Sequence, residues 1–139
     1  MDNYNIKDLA QVRLDQAREC LASSEALINL NHYKDSANRS YYCIFHSMRA
    51  VLALDGFDSK KHSGIISAFR QNYIKTGKFE AVYSDIIKDA FEIRTDSDYQ
   101  DFYTIAKTDV QQQIDHAKDF LKAATEYISK FLEEKTYEC

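Results

Sequence analysis

From Val110 to Phe131 the apolar residues keep one rhythm: Val110, Ile114, Ala117, Leu121, Ala124, Ile128 and Phe131, in alternating steps of four and three. Only an α-helix returns side chains to one face at that interval; a strand would alternate by two. Such stepping suits near-antiparallel packing in a bundle and is also compatible with a coiled-coil-like seam. Proline is absent and there are only three glycines, so little in the chain would break long helices. The sequence therefore predicts an all-α, antiparallel bundle of about five helices. Its 139 residues fit one domain, 1–139, long enough to bury a core.

The other helices follow from similar stripes. The first is expected over 6–30, with Ala10, Leu14, Ala17, Leu21 and Ile28 inward, small Ser24 in step, and a break at Asn31-His32. The second covers 34–54, with Asp35 favourable near its N-terminus and Asp55-Gly56 as its stop. The third spans 62–74, with Ser59 or a neighbour as cap and Thr76-Gly77 as its end. The fourth spans 79–94, with Phe79, Val82, Ile86, Ala90 and Ile93 inward. A loop is expected over 95–103, and the fifth helix opens at Thr108, where Gln111 completes a capping box.

Composition excludes several classes. The formal charge of −4 provides no global basic field for nucleic acid, so any RNA contact has to be local. The 10 tyrosines and 8 phenylalanines are not interleaved with basic residues and read as core rather than as a stacking platform. Cys20, Cys43 and Cys139 form neither a disulfide framework nor a Cys-x-x-Cys metal site, which points to reduced thiols. There is no basic-then-apolar leader and no apolar run of the roughly 18 residues that suggests a membrane span, so a cytoplasmic protein with no membrane partner is expected. The Asp96–Asp101 stretch lacks the central glycine of a calcium loop, and Lys107 stands where its closing glutamate belongs. No ligand-spaced histidines or cysteines are visible, and neither metal nor cofactor is expected.

The chemistry lies in the second helix. At 100° per residue, Arg39, Tyr42, His46 and Arg49 share one face, beside an apolar face of Tyr41, Phe45, Met48 and Leu52. Burying the second stripe leaves the first at the bundle's edge. Two readings stand: a tyrosine and histidine satisfied by hydrogen bonds at a helix interface, or a surface that holds an anion. His62-Ser63-Gly64, beside Lys60 and Lys61, opens the third helix; it is either a capping turn or a second anion contact through free backbone N–H groups.

Four pieces resemble the HEPN superfamily, and most closely its small stand-alone prokaryotic members: His32-Tyr33-Lys-Asp-Ser-Ala; Arg39-Ser-Tyr-Tyr-Cys-Ile-Phe-His46; Lys61-His62-Ser-Gly-Ile-Ile-Ser-Ala-Phe69 followed by Lys75-Thr-Gly77; and Phe91-Glu-Ile-Arg94 with Asp98-Tyr99. The resemblance implies an all-α bundle, often a homodimer, frequently encoded beside a nucleotidyltransferase in two-component or toxin–antitoxin modules. Many members are metal-independent RNases with an arginine, four to six residues, then a histidine. Arg94 matches the arginine, but Tyr99, Gln100 and Asp101 stand where the histidine belongs. A literal match occurs instead at Arg39 and His46, within one helix.

Three functions follow. The first is a binding subunit of a two-component system without catalysis of its own, with a homodimeric state, a nucleotidyltransferase-like partner and a nucleotide or RNA ligand. The second is an RNase toxin using Arg94 with His46 or His62, Tyr99 occupying the family's position. The third is a structural dimerisation module. The ligand-contact candidates are Arg39, Tyr42, His46, Arg49, Lys61, His62, Arg94, Asp98 and Tyr99.

Overall fold

The computed structural model describes residues 4–137. Their helices are α1 (Tyr4–Asn29), α2 (Tyr33–Ala53), α3 (His62–Phe69), which runs on into a π-helical turn (Arg70–Ile74), α4 (Val82–Tyr99) and α5 (Lys107–Tyr137). No strand occurs among the described residues, as the periodicity requires. None of the helices is long and apolar enough to cross a membrane.

The expected stops are built as local chemistry would have them. Asn31 takes a left-handed φ of 64°, while His32 N–H donates to Leu27 O and Asn31 N–H to Ile28 O. Gly56, at φ 70°, ends α2 in the same way, with Phe57 N–H donating to Leu52 O and Gly56 N–H to Ala53 O. In each case the left-handed residue reverses the chain and satisfies carbonyls that the helix end leaves open.

Three expectations are corrected. The stretch read as a loop from residue 95 is helical to Tyr99. Thr95-Asp-Ser-Asp is a loop-like composition, but Arg94 Nε pairs with Asp98 Oδ2 at 3.1 Å across one turn, and Gln100 Nε2 donates to Asp96 Oδ1. Such pairs between successive turns support a helix against weak propensity. At the other end, α4 starts at Val82, which is 52% exposed rather than inward, while Phe79 is buried from the preceding connection. The capping box at the start of α5 does not form: the helix opens at Lys107, Asp109 N–H donates to Ala106 O, and Gln111 bonds Asp115.

α2 is the axis of the bundle. Thirteen of its 21 residues are buried, and it packs against α1, α3, α4 and α5. Its most intimate contact is with α1. There Ser24 Oγ lies 2.7 Å from Ser36 O and 2.6 Å from Ser40 Oγ, and Ser36 Oγ donates to Ser24 O at 2.7 Å. All three serines are fully buried. Small side chains bring the two backbones together, and each hydroxyl finds a partner. On the far side, Tyr41, Met48, Leu52, Phe69 and Phe120 fill the core, none of them exposed.

Ser24 is therefore expected to resist both larger and apolar replacements. Ser24→Ala should cost about 1–3 kcal/mol, because it leaves buried oxygens without a partner. Ser24→Leu should cost more, since overpacking is added to that loss. Urea unfolding with an unchanged m-value checks both; losses under about 0.5 kcal/mol would show that the serines are not holding α1 against α2.

Candidate functional site

The sequence put Tyr41, Phe45, Met48 and Leu52 inward, and all four are buried. By helical geometry the adjacent face of Arg39, Tyr42, His46 and Arg49 comes to the edge of the bundle, where each is half-buried. Two other elements close around it. α3 brings His62 from its first turn, and α4 brings Arg94 from its next-to-last.

Tyr42 is the hub. The Arg39 guanidinium lies 4.9 Å from its ring centre and that of Arg94 lies 5.8 Å away. Arg94 Nη2 donates to its hydroxyl at 3.4 Å. The imidazoles of His62 and His46 stand 5.7 and 6.0 Å from it, centroid to centroid. His62 is held on two further sides: its ring stacks on Phe45 at 4.2 Å, and its Nδ1 shares a 2.6 Å hydrogen bond with the Tyr41 hydroxyl. Burial raises the Tyr41 pKa, so the phenol keeps its proton. Donation from that phenol to Nδ1 would leave the His62 proton on Nε2.

The turn ahead of α3 explains Gly64. A Cβ there would lie 2.4 Å from Ser59 Oγ, and that same oxygen accepts the Lys61 N–H at 3.2 Å. Glycine lets the 57–61 loop close onto the helix start, which fixes where His62 emerges.

Two residues that sequence reading passed over complete the site. Arg13 on α1 is only 5% exposed. It donates to the Arg49 carbonyl at 3.0 Å and to Asp58 Oδ2 at 3.1 Å, and Arg49 Nη2 shares that oxygen at 3.4 Å. Asp58 thus gathers two guanidinium groups beside His46. A signal was present: Arg13 precedes Leu14 and lies one turn from both Ala10 and Ala17, on the border of a stripe that is otherwise apolar.

The remaining candidates divide. Asp98 is drawn in by its ion pair with Arg94, as a tether for a half-buried guanidinium should be. Tyr99, by contrast, is 74% exposed at the end of α4. Lys61 is the exposed N-cap of α3.

Electrostatically the cluster is cationic and half-buried. Among the described residues, Asp58 pairs with Arg13 and Arg49, and Asp98 with Arg94. Burial, then the charges of Arg49, Arg39 and Arg13, push the His46 pKa down to about 4. Burial, then Arg94 and Arg49, lower that of His62. Both imidazoles are neutral at neutral pH, and His46 Nδ1 is buried with no hydrogen-bond partner among the described residues. The arrangement offers guanidinium and hydroxyl donors converging on one spot, with two groups ready to take up protons if negative charge arrives.

Comparison with known proteins places this fold and sequence. The profile of the HEPN domain family matches residues 10–128. A UPF0332 protein of Thermotoga maritima is 32% identical over 113 residues, covering 81% of this chain and 86% of that protein. A Methanocaldococcus jannaschii protein named "Putative toxin MJ0605" is 33% identical over 97 residues, 70% of this chain and 72% of its own length. The crystal structure of ST0689, an archaeal HEPN homologue, superposes with a TM-score of 0.61, covering 86% of this chain and 97% of that one at 18% identity.

The depressed His46 pKa has a consequence for stability. An unfolded histidine takes up a proton as pH falls through about 6.5, whereas folded His46 refuses it until about 4. His46 therefore costs the protein nothing above pH 6.5, and stability is lost as pH falls from there towards 4. The expected loss is about 2 kcal/mol, discounted for partial exposure. His46→Gln should flatten that part of the profile. Urea midpoints at pH 7 and pH 4.5 provide the test; identical pH dependence in the two proteins would contradict it.

Proposed function

The chain belongs to the HEPN domain family, and on that footing we propose that it is the binding subunit of a two-component, toxin–antitoxin-type system. In this reading the Tyr42 cluster takes a phosphate group of a nucleotide or RNA. The observation that carries it is the convergence of Arg39, Arg94, His46 and His62 on one tyrosine, with Arg49 near enough to act on both histidines, while Asp58 and Asp98 are the acids paired with the cluster's guanidinium groups among the described residues. A phosphate oxygen there would accept from guanidinium groups already desolvated on one side, where charge-assisted hydrogen bonds are strongest. The name of the M. jannaschii relative supports the toxin–antitoxin setting. A nucleotidyltransferase-like protein is the partner that the family resemblance implies. We propose a homodimer as well, supported by the exposed Tyr99 and Phe102, 74% and 98% accessible, which exceed what a small bundle leaves to water.

The second reading is an RNase using Arg94 with His46 or His62. It is favoured by one feature: both imidazoles lie beside the tyrosine that Arg94 contacts. Two features weigh against it. A general acid or base works best with a pKa near the working pH, and both histidines are depressed, His46 to about 4. Tyr99, at the family's histidine position, faces solvent.

Calorimetric titration of a short single-stranded RNA into the purified protein tests the binding reading. Affinity should fall about tenfold or more in Arg39→Ala/Arg94→Ala. An anion neutralises the guanidinium charges and raises the histidine pKa values, so binding should take up protons and tighten as pH falls from 7.5 to 5.5. Equal affinity in the double variant, or proton release, would refute the assignment. Incubated with RNA and a metal chelator, the isolated protein should leave the RNA intact; cleavage lost on His46→Ala or Arg94→Ala would establish the RNase reading instead.

A further inference from the structure

α3 with its π turn and α4 are joined through residues 75–81. Near the π turn they are clasped, because Arg70 Nε donates to Ser84 Oγ and Arg70 Nη2 to Ser84 O, each at 3.1 Å. Around the clasp, and lined in part by it, lies a groove of about 610 Å³. Its floor is Ile66, Ile74, Ile87 and Phe91. Its walls carry Lys75 on one side and Lys88 on the other, with Glu92 as the only acid. Both lysines are exposed, and neither forms an ion pair among the described residues. The groove borders the Tyr42 cluster through Ser63 and Phe91 but contains none of its charged groups.

We propose that this groove is the docking site for an acidic amphipathic helix of the partner protein. The proposal rests on the two-component reading above and names the chemistry of the partner contact. Two helical walls over an apolar floor are the geometry that receives the apolar stripe of a third helix. The opposed lysines select carboxylates flanking that stripe, since unpaired cations on both rims repel a basic segment and attract an acidic one. The floor argues against single-stranded nucleic acid: three of its four residues are aliphatic, whereas bases are held by stacking on aromatic faces. The two longest described helices of a second copy do not suit the groove, because the apolar stripes of α1 and α5 are buried in its own core. The Arg70–Ser84 clasp, itself part of the lining, ties the two walls together before the partner arrives, which lowers the ordering cost of docking.

The test uses the full chain and three fluorescein-labelled helical peptides of about 18 residues, roughly five turns. They share one leucine stripe and carry Glu, Gln or Lys on the polar face. By fluorescence anisotropy the Glu peptide should bind about tenfold or more tighter than the Gln peptide, weakening with salt, and the Lys peptide should bind least. Lys75→Glu/Lys88→Glu should reverse that order. Ser67→Trp, which fills the groove from an exposed position, should weaken the Glu peptide about tenfold. Circular dichroism confirms that each variant is folded. Arg39→Ala/Arg94→Ala should leave peptide affinity unchanged, so failure of the groove is separable from failure of the anion site. The proposal is overturned if no peptide binds, if the three bind alike, or if Lys75→Glu/Lys88→Glu leaves the order unaltered. It is equally overturned if single-stranded RNA binding, and not peptide binding, is what that variant abolishes.

Discussion

The structure turns on the burial of one helix. α2 is surrounded by α1, α3, α4 and α5, and its face of Tyr41, Phe45, Met48 and Leu52 is sealed in the core. A helix cannot bury one stripe without fixing where the adjacent stripe goes. Sealing the apolar stripe holds Arg39, Tyr42, His46 and Arg49 at the boundary between core and solvent. Their half-burial then sets the chemistry: enough desolvation to keep the histidines neutral, and enough exposure for a ligand to reach the guanidinium groups. The same residues on a fully exposed face would be screened by water, and in a sealed core the charges would need permanent partners.

The surrounding elements serve that placement. The Ser24, Ser36 and Ser40 hydrogen bonds bring α1 close enough for Arg13 to reach the Arg49 carbonyl and Asp58. Gly64 in the first turn of α3 lets the preceding loop close against it, and His62 is held against Tyr41 and stacked on Phe45. The continuation of α4 past Arg94 supplies Asp98, which holds the Arg94 side chain near Tyr42. An arriving anion would compete with that carboxylate for Arg94, so Asp98 moderates affinity as well as holding the guanidinium in place.

Much of this was legible in the sequence, for stated reasons. Long uninterrupted stripes report helices reliably because their period integrates over many residues, and the edge face of α2 followed from rotation alone. Gly56 and Asn31 marked stops because few other residues take their left-handed conformation readily. What escaped was in part a helix boundary and in part non-local. Residues 95–99 read as a loop because Thr95-Asp-Ser-Asp is turn-like in composition, although Arg94 with Asp98 and Asp96 with Gln100 support one more helical turn. Val82 seemed inward because it continued a period that begins only after the chain has already turned at Phe79. Asp58 gave no signal at all: its role exists only once α1 and α2 are docked. The meeting of His46 with His62, from different helices, is likewise a product of packing.

The charge state of the two histidines decides most directly whether this face of α2 is poised for an anion. Proton NMR titration of His46 and His62, assigned through His46→Gln and His62→Gln, would follow both imidazoles with and without a saturating short single-stranded RNA. Free His46 should titrate near 4, with His62 also below its ordinary value. RNA should raise both, because the phosphate replaces arginine repulsion with attraction. An ordinary titration of free His46 near pH 6.5, or no upward shift with the RNA bound, would contradict the anion reading.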